Sequence, residues 1–212
     1  ATVEVLEKGP VRASIRVQSA FRNSRFIQDV ILYQKTPRVD CRLNFDWQER
    51  NLMIKAAFPA SVKNAIADFE IPFGFISRPV DGAEVPALKW IDLTDESASY
   101  GLSLLNDCKY GFDVKGSTMR ISLIHGATSP DPEADRGEHT ILYSLYPHAG
   151  GWREAETFRR GHELNNPLMA RAGMVHTGRL PALHSFIRVS PDNVILSTVK
   201  KESGYFSRAM II

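Results

Sequence analysis

Strict period-two alternation is the feature that most limits how this chain can fold. In VDCRLNFDW, residues 39–47, Val39, Cys41, Leu43, Phe45 and Trp47 are apolar while Asp40, Arg42, Asn44 and Asp46 are polar. Successive side chains of a strand point to opposite faces of a sheet, so this segment reads as a long, half-buried strand. Cys41 then lies on the apolar side as a small hydrophobe. ADFEIPFGF repeats the pattern and places Ala67, Phe69, Ile71, Phe73 and Phe75 on one side. Its Pro72 donates no ladder hydrogen bond, which predicts an edge strand or a bulge. Phe69, Phe73, Phe75 and Trp90 are assigned to the inner core.

Further strands are predicted over 3–6, 11–18, 26–33, 52–58, 100–105, 118–124, 139–146, 184–190, 193–200 and 205–212. EKGP, KTP, DVKGS, SPDN and KESG supply turns between them. Many short strands joined by Gly- and Pro-containing turns predict an all-β fold, a large antiparallel β-sandwich. One segment departs from the pattern. WREAETFRRGHELNNPL is rich in helix formers, Trp152, Ala155 and Phe158 recur at every third position, and Asn165, Asn166 and Pro167 stop it. It predicts one short helical insertion. With no internal repeat, low-complexity tract or linker, residues 1–212 read as a single domain.

Composition excludes several partners. Twenty-six Lys and Arg oppose 24 Asp and Glu, a formal charge of +2, without the concentrated basic face that nucleic acid requires. No run approaches the roughly 20 apolar residues that span a bilayer. Cys41 and Cys108 cannot build a disulfide framework and read as free thiols of a reducing, cytoplasmic compartment, a single bridge between them being the alternative. The sequence opens without Met, already in strand alternation, and closes on SRAMII with no turn or cap. A segment of a longer chain is therefore expected, with an apolar patch exposed on the isolated piece.

Three stretches carry side chains capable of chemistry. HGATSPDPEADRGEHT contains His125, Asp131, Glu133, Asp135, Glu138 and His139. It has no HxH or HExxH spacing for a metal, and although Asp131, Asp135 and Glu138 could supply an acid/base pair, a structured surface loop is the plainer reading. LLNDCKYGFDV brings Asp107, Cys108 and Lys109 together. A nucleophilic Cys108 would need a stabilised thiolate and an oriented base, whereas Asn106 and Asp107 ahead of Gly111 also make a polar turn. In YPHAGGW, His148 reads as a loop histidine bonded to the backbone, or as a sugar or ion contact with Tyr146 and Trp152 offering aromatic faces.

Taken in order, EKGPVRASIRV, TPRVDCRLNFDWQERNLMIKAAFP, LLNDCKYGFDVKGSTMRISLIHGATSPDPEADRGEHTILYSLYPHAGGW, ELNNPL and SFIRVSPDNVILSTVKK resemble the C-terminal part of α-mannosidases of glycoside hydrolase family 38. The resemblance implies a supersandwich of galactose mutarotase-like type. It also implies a retaining parent enzyme that hydrolyses terminal α-mannosides through a covalent mannosyl-enzyme intermediate. The nucleophile and a Zn²⁺ that holds substrate hydroxyls would belong to an N-terminal catalytic domain, with a helical domain between. The metal motifs of that domain are missing here, so no cofactor, metal ligand or catalytic residue is assigned to this segment.

In such enzymes the C-terminal β region closes one wall of the cleft. By order along the chain NDCKYG is carried over to that wall, which makes Asn106, Asp107, Lys109 and Tyr110 the cleft-lining, substrate-binding candidates. The partners implied are the catalytic and helical domains of the same chain and a mannoside substrate, and a homo-oligomer is compatible with them. Two other functions suit the same fold class. A stand-alone carbohydrate-binding sandwich would stack sugars on Tyr146, Trp152 or Tyr110, and a mutarotase-like epimerase would need an acid and a base across one pocket.

Overall fold

The computed structural model describes residues 1–175, 177–204 and 209–211. In chain order the first strands are β1 (Thr2–Lys8), β2 (Arg12–Phe21), β3 (Ser24–Tyr33), β4 (Val39–Trp47) and β5 (Ile54–Pro59). They are followed by β6 (Ile66–Ile71), β7 (Gly74–Arg78), β8 (Val85–Pro86), β9 (Trp90–Thr94) and β10 (Tyr100–Asn106). Then come β11 (Gly111–Lys115), β12 (Thr118–Ile124), β13 (Gly137–Ala149), the helix α1 (Thr157–Asn165), β14 (Lys200–Lys201) and β15 (Met210–Ile211). The chain divides into two compact units, Ala1–Leu168 and Met169–Ile212.

The first unit is an antiparallel β-sandwich, the all-β fold that the alternation predicts. A nine-stranded sheet runs in the order β1-β2-β3-β4-β13-β10-β9-β6-β7, and a four-stranded sheet in the order β5-β12-β11-β8. Strand β13 pairs with β4 from Gly137 opposite Trp47 to Leu145 opposite Val39, which sets Ile141 beside Leu43 and Tyr143 beside Cys41. The core lies between the sheets. Leu43, Phe45, Trp47, Phe69, Ile91, Leu93 and Leu104 of the large sheet meet Phe112, Val114, Met119 and Ile121 of the small one. Cys41 takes its place in this core. The opposite face of the large sheet carries a second, smaller layer, in which Trp90 and Leu105 pack under Leu164 of α1, with Trp152 and Phe158 alongside.

The large sheet is wider than its cover. Val3, Val5, Ile15 and Leu32 of β1–β3 remain exposed, although their register puts them in line with core positions of β4: Val5 faces Ile15, Ile15 faces Val30, and Val30 faces Cys41. Among the described residues no helix is long and apolar enough to cross a membrane.

Several expectations need correction. Phe73 and Phe75 do not join the inner core. Pro72 and Phe73 form a hairpin turn, with Ile71 opposite Gly74 and Glu70 opposite Phe75, so the reversal returns Phe75 to the outer face. Phe73 sits at the turn with φ 58° and is fully exposed, while β7 is the edge strand. Trp90 is buried, but in the layer under α1. Helix α1 starts only at Thr157, so Trp152 and Ala155 belong to the preceding turns. No strand forms over 184–190 or 193–199. Leu183 and Phe186 of that unit stay exposed, and alternation without a second layer to bury it does not hold a strand. The strand predicted over 205–212 falls partly on residues 205–208 and 212, outside the described residues.

The two phenylalanines of the β6–β7 hairpin give a direct check of this layering. Phe69→Ala is expected to lower stability by about 3–5 kcal/mol, the range for emptying a buried aromatic site. Phe73→Ala should leave the denaturation midpoint where it is. Urea melts of the two variants measure both.

Candidate functional site

The NDCKYG turn links β10 of the large sheet to β11 of the small sheet, so it sits at the rim of the sandwich. Its shape is set by Asn106, whose side chain is buried. The Asn106 Oδ1 accepts the backbone N–H of Cys108 at 3.0 Å and of Lys109 at 2.6 Å, and its Nδ2 donates to the Leu88 carbonyl at 2.8 Å. Its own carbonyl accepts from Asn165 Nδ2 of α1 at 2.9 Å. One side chain thus ties together the turn and the segment before β9, while its backbone receives the end of the helix. This is the local side-chain-to-backbone bonding that makes Asn a turn former.

The other turn residues face outward. Asp107 Oδ1 accepts the Leu142 N–H at 3.1 Å, and Asp107 N–H donates to the Leu142 carbonyl at 3.1 Å. The ladder against β13 therefore runs one residue past β10. Tyr110 is exposed, and its carbonyl receives the Ala87 N–H at 3.0 Å. Among the described residues the half-buried Lys109 makes no ion pair or hydrogen bond through its ammonium. Desolvation in the turn, and then the Asp107 carboxylate, push the Cys108 thiol up to about 12. A thiol held neutral in this way is no nucleophile. NDCKYG is a fixed backbone presenting a carboxylate, an ammonium and a phenol.

Residues 125–136 are a tied surface loop, and 137–140 already form the start of β13 against β4. Asp131 Oδ1 accepts the Glu133 N–H at 2.9 Å and Asp135 Oδ2 accepts the Gly126 N–H at 2.9 Å. Glu133 pairs with Arg50 and Arg136, and His139 stacks on Phe45 at 5.0 Å. Among the described residues no three His, Cys, Asp or Glu side chains are grouped to hold a metal ion.

A polar row that sequence reasoning missed crosses the outer face of the large sheet. Tyr146, Ser103, Asp92, Asp68 and Ser77 lie opposite one another on β13, β10, β9, β6 and β7. Asp92 is buried; its Oδ1 accepts from Thr94 at 2.5 Å, and its Oδ2 accepts from Ser103 at 2.7 Å. His148 Nε2 lies 2.8 Å from the same Oδ2, and its Nδ1 lies 3.2 Å from the Gly150 carbonyl. A Cβ on Gly101 would overlap the His148 ring, so only glycine admits the imidazole there. Burial draws this imidazole down, but the hydrogen bond and charge of Asp92, with the Gly150 and Ala149 backbone, together hold it above its ordinary value.

The aromatics offered for sugar stacking are mostly engaged. Trp152 Nε1 donates to Asp68 Oδ2 at 2.9 Å. Its ring lies 4.8 Å from Phe75 and 4.9 Å from Trp90, with the Arg153 guanidinium 4.3 Å over it. Tyr146 donates to the Ala155 carbonyl at 3.2 Å. The buried row left one trace in the sequence, polar residues inside the otherwise apolar WIDLT and ADFEI. Alternation alone sends such residues to solvent.

Two outcomes follow from the turn. Asn106→Ala is expected to destabilise the fold by about 1–3 kcal/mol, because it strips buried partners from two N–H groups and a carbonyl; thermal melts read this. Cys108 should be alkylated by iodoacetamide at pH 8 at least about tenfold more slowly than an ordinary thiol, since so little thiolate is present well below its raised value. Peptide mass spectrometry of the time course measures that rate.

Residues 1–133 match the family described as Glycosyl hydrolases family 38 C-terminal domain. Alpha-mannosidase 2C1 of Homo sapiens is 38% identical over 200 residues, covering 90% of this chain and 19% of its own length. Alpha-mannosidase G of Dictyostelium discoideum is 32% identical, covering 94% of this chain and 20% of its own. The chain therefore spans about a fifth of the length of these curated relatives. Among solved structures, an alpha-mannosidase from Enterococcus faecalis V583 superposes with a TM-score of 0.73 at 16% identity over 84% of this chain and 25% of that one, which shows a shared fold. On the match that runs through most of its sandwich, this chain belongs to the C-terminal domain family of the family 38 glycosyl hydrolases.

Proposed function

We propose that this chain is the structural, cleft-completing C-terminal part of a retaining α-mannosidase that hydrolyses terminal α-mannosides. The observation that carries this reading is the family match over residues 1–133, joined by relatives that are named α-mannosidases and align with 90% or more of the chain. The nucleophile and the Zn²⁺ are proposed to lie in an N-terminal catalytic domain of the same polypeptide, with a helical domain between, and there the metal would hold substrate hydroxyls. Those domains are the partners. The apolar face left on β1–β3 by Val3, Val5, Ile15 and Leu32 is a surface on which such a neighbour would gain by packing. Two free cysteines suit a cytoplasmic protein.

Within this reading the NDCKYG turn forms part of the cleft wall. Asn106 fixes the backbone from behind, Asp107 and Lys109 offer an acceptor and a charged donor to sugar hydroxyls, and Tyr110 offers an exposed ring face. None of them is asked to act as acid, base or nucleophile. They would act by orienting the bound sugar, and losing such a contact raises the barrier without abolishing the chemistry.

Lys109→Ala and Asp107→Ala in the full-length enzyme are each expected to lower kcat/KM for an aryl α-mannoside by about tenfold or more, a loss of about 1.4 kcal/mol of transition-state stabilisation. Unchanged kinetics in both variants would sink the wall assignment. The 212-residue piece alone should show no turnover with added Zn²⁺. Zinc-dependent hydrolysis by it would overturn the larger reading.

A further inference from the structure

The segment between β13 and α1 is pinned to the outer face of the large sheet at three points along one polar row. At its start, the Gly150 carbonyl lies 3.2 Å from His148 Nδ1. In its middle, Trp152 Nε1 donates to Asp68. At its end, the Ser103 hydroxyl stands 2.7 Å from both Thr157 Oγ1 and Asp92 Oδ2. Asp92 is common to the first and last of these ties, because its Oδ2 also faces His148 Nε2 at 2.8 Å. The His148 and Asp92 side chains are 3% and 1% exposed, so water cannot take over either partner's role.

The two acceptors around the ring decide its protonation. Nδ1 faces a carbonyl and Nε2 faces a carboxylate. A neutral imidazole has one N–H and can serve only one of them, whereas the imidazolium serves both. Charge favours the same state. Asp68 lies directly opposite Asp92 in the β6–β9 register, and both are buried, so two carboxylates share a site of low polarity. Strand β10 brings no charge to it, its sequence being YGLSLLN. From the connecting segment, the Arg153 guanidinium is committed to the Trp152 and Phe75 rings, Glu156 is paired with Arg159 and Arg160 of α1, and the exposed Glu154 lies beside Gly150 and Gly151. His148 is thus the cation placed to offset the buried pair.

We propose that His148 and Asp92 form an acid-tightened latch, a buried imidazolium–carboxylate pair that clamps the 149–157 segment and the start of α1 onto the large sheet and loosens when the imidazole gives up its proton. The folded ring is raised above its ordinary value of 6.5. The sign follows from that: the clamp is at full strength below the unfolded value and is lost as pH rises through the folded one.

Histidine C2-proton exchange, read by mass spectrometry on the full-length protein, gives the His148 midpoint directly. It is expected above 6.5, and Asp92→Asn should bring it down. Amide exchange, corrected for its intrinsic pH dependence, should show 149–157 best protected in acid. Protection should fall with rising pH by about tenfold for each unit by which the ring is raised, while the β4–β13 ladder holds. His148→Gln should remove that dependence from 149–157 alone. A midpoint at or below the ordinary value, or the same pH dependence with and without His148, overturns the latch. If His148→Gln does not fold, the wild-type midpoint and the wild-type contrast between 149–157 and the ladder decide the matter.

Discussion

Burial of β9 and β10 on both faces is the constraint on which the rest of this structure depends. Leu102 and Leu104 point into the sheet–sheet core, while Ser103 and Leu105 point under α1 and its connection. A strand enclosed on two sides can leave no polar group unpaired without a penalty of a few kcal/mol. The outer face therefore carries a run of bonds, Thr94 and Ser103 to Asp92, Thr157 to Ser103, and Trp152 to Asp68, while among the described residues the buried Trp90 Nε1 of this layer is left without a partner. Asn106 ends the same strand. It turns the chain toward the small sheet with every polar atom of its side chain used. The position of NDCKYG at the rim is a consequence of how β10 is enclosed.

The same constraint explains what the amino-acid pattern could and could not reveal. Strand β4 was legible because only its inner face is fully packed, so Cys41, Leu43, Phe45 and Trp47 alternate with partly or wholly solvated residues such as Arg42 and Asp46. Strand β9 was not legible: WIDLT is buried throughout, and a run enclosed on both sides has no two-residue period to read. The β6–β7 hairpin misled for another reason. Alternation continued through Pro72-Phe73, but the chain reversed there, and the turn returned Phe75 to the face of Glu70. For the site, NDCKYG was readable as a polar turn. The knot made by Asn106 with Leu88 and Asn165 joins residues far apart in the chain, and local spacing carries no sign of it. His148 behaves alike, since its partner Asp92 is 56 residues away.

The relation between the turn and the proposed cleft rests on a distinction between holding and reacting. A reacting group needs a perturbed, accessible proton or electron pair. Here the Cys108 thiol is shifted toward its inert form, and Asp107 already accepts the Leu142 N–H. A wall needs the opposite: a backbone that cannot drift, with heads left free. Asn106 supplies the first condition through two N–H groups and a carbonyl. Lys109 and Tyr110 supply the second. Positioning contacts of this kind lower the barrier by restricting the bound sugar to productive orientations, and a rim turn serves that end only if its own freedom is removed beforehand. Asn106 removes it at folding, so little ordering of this backbone would remain to oppose binding.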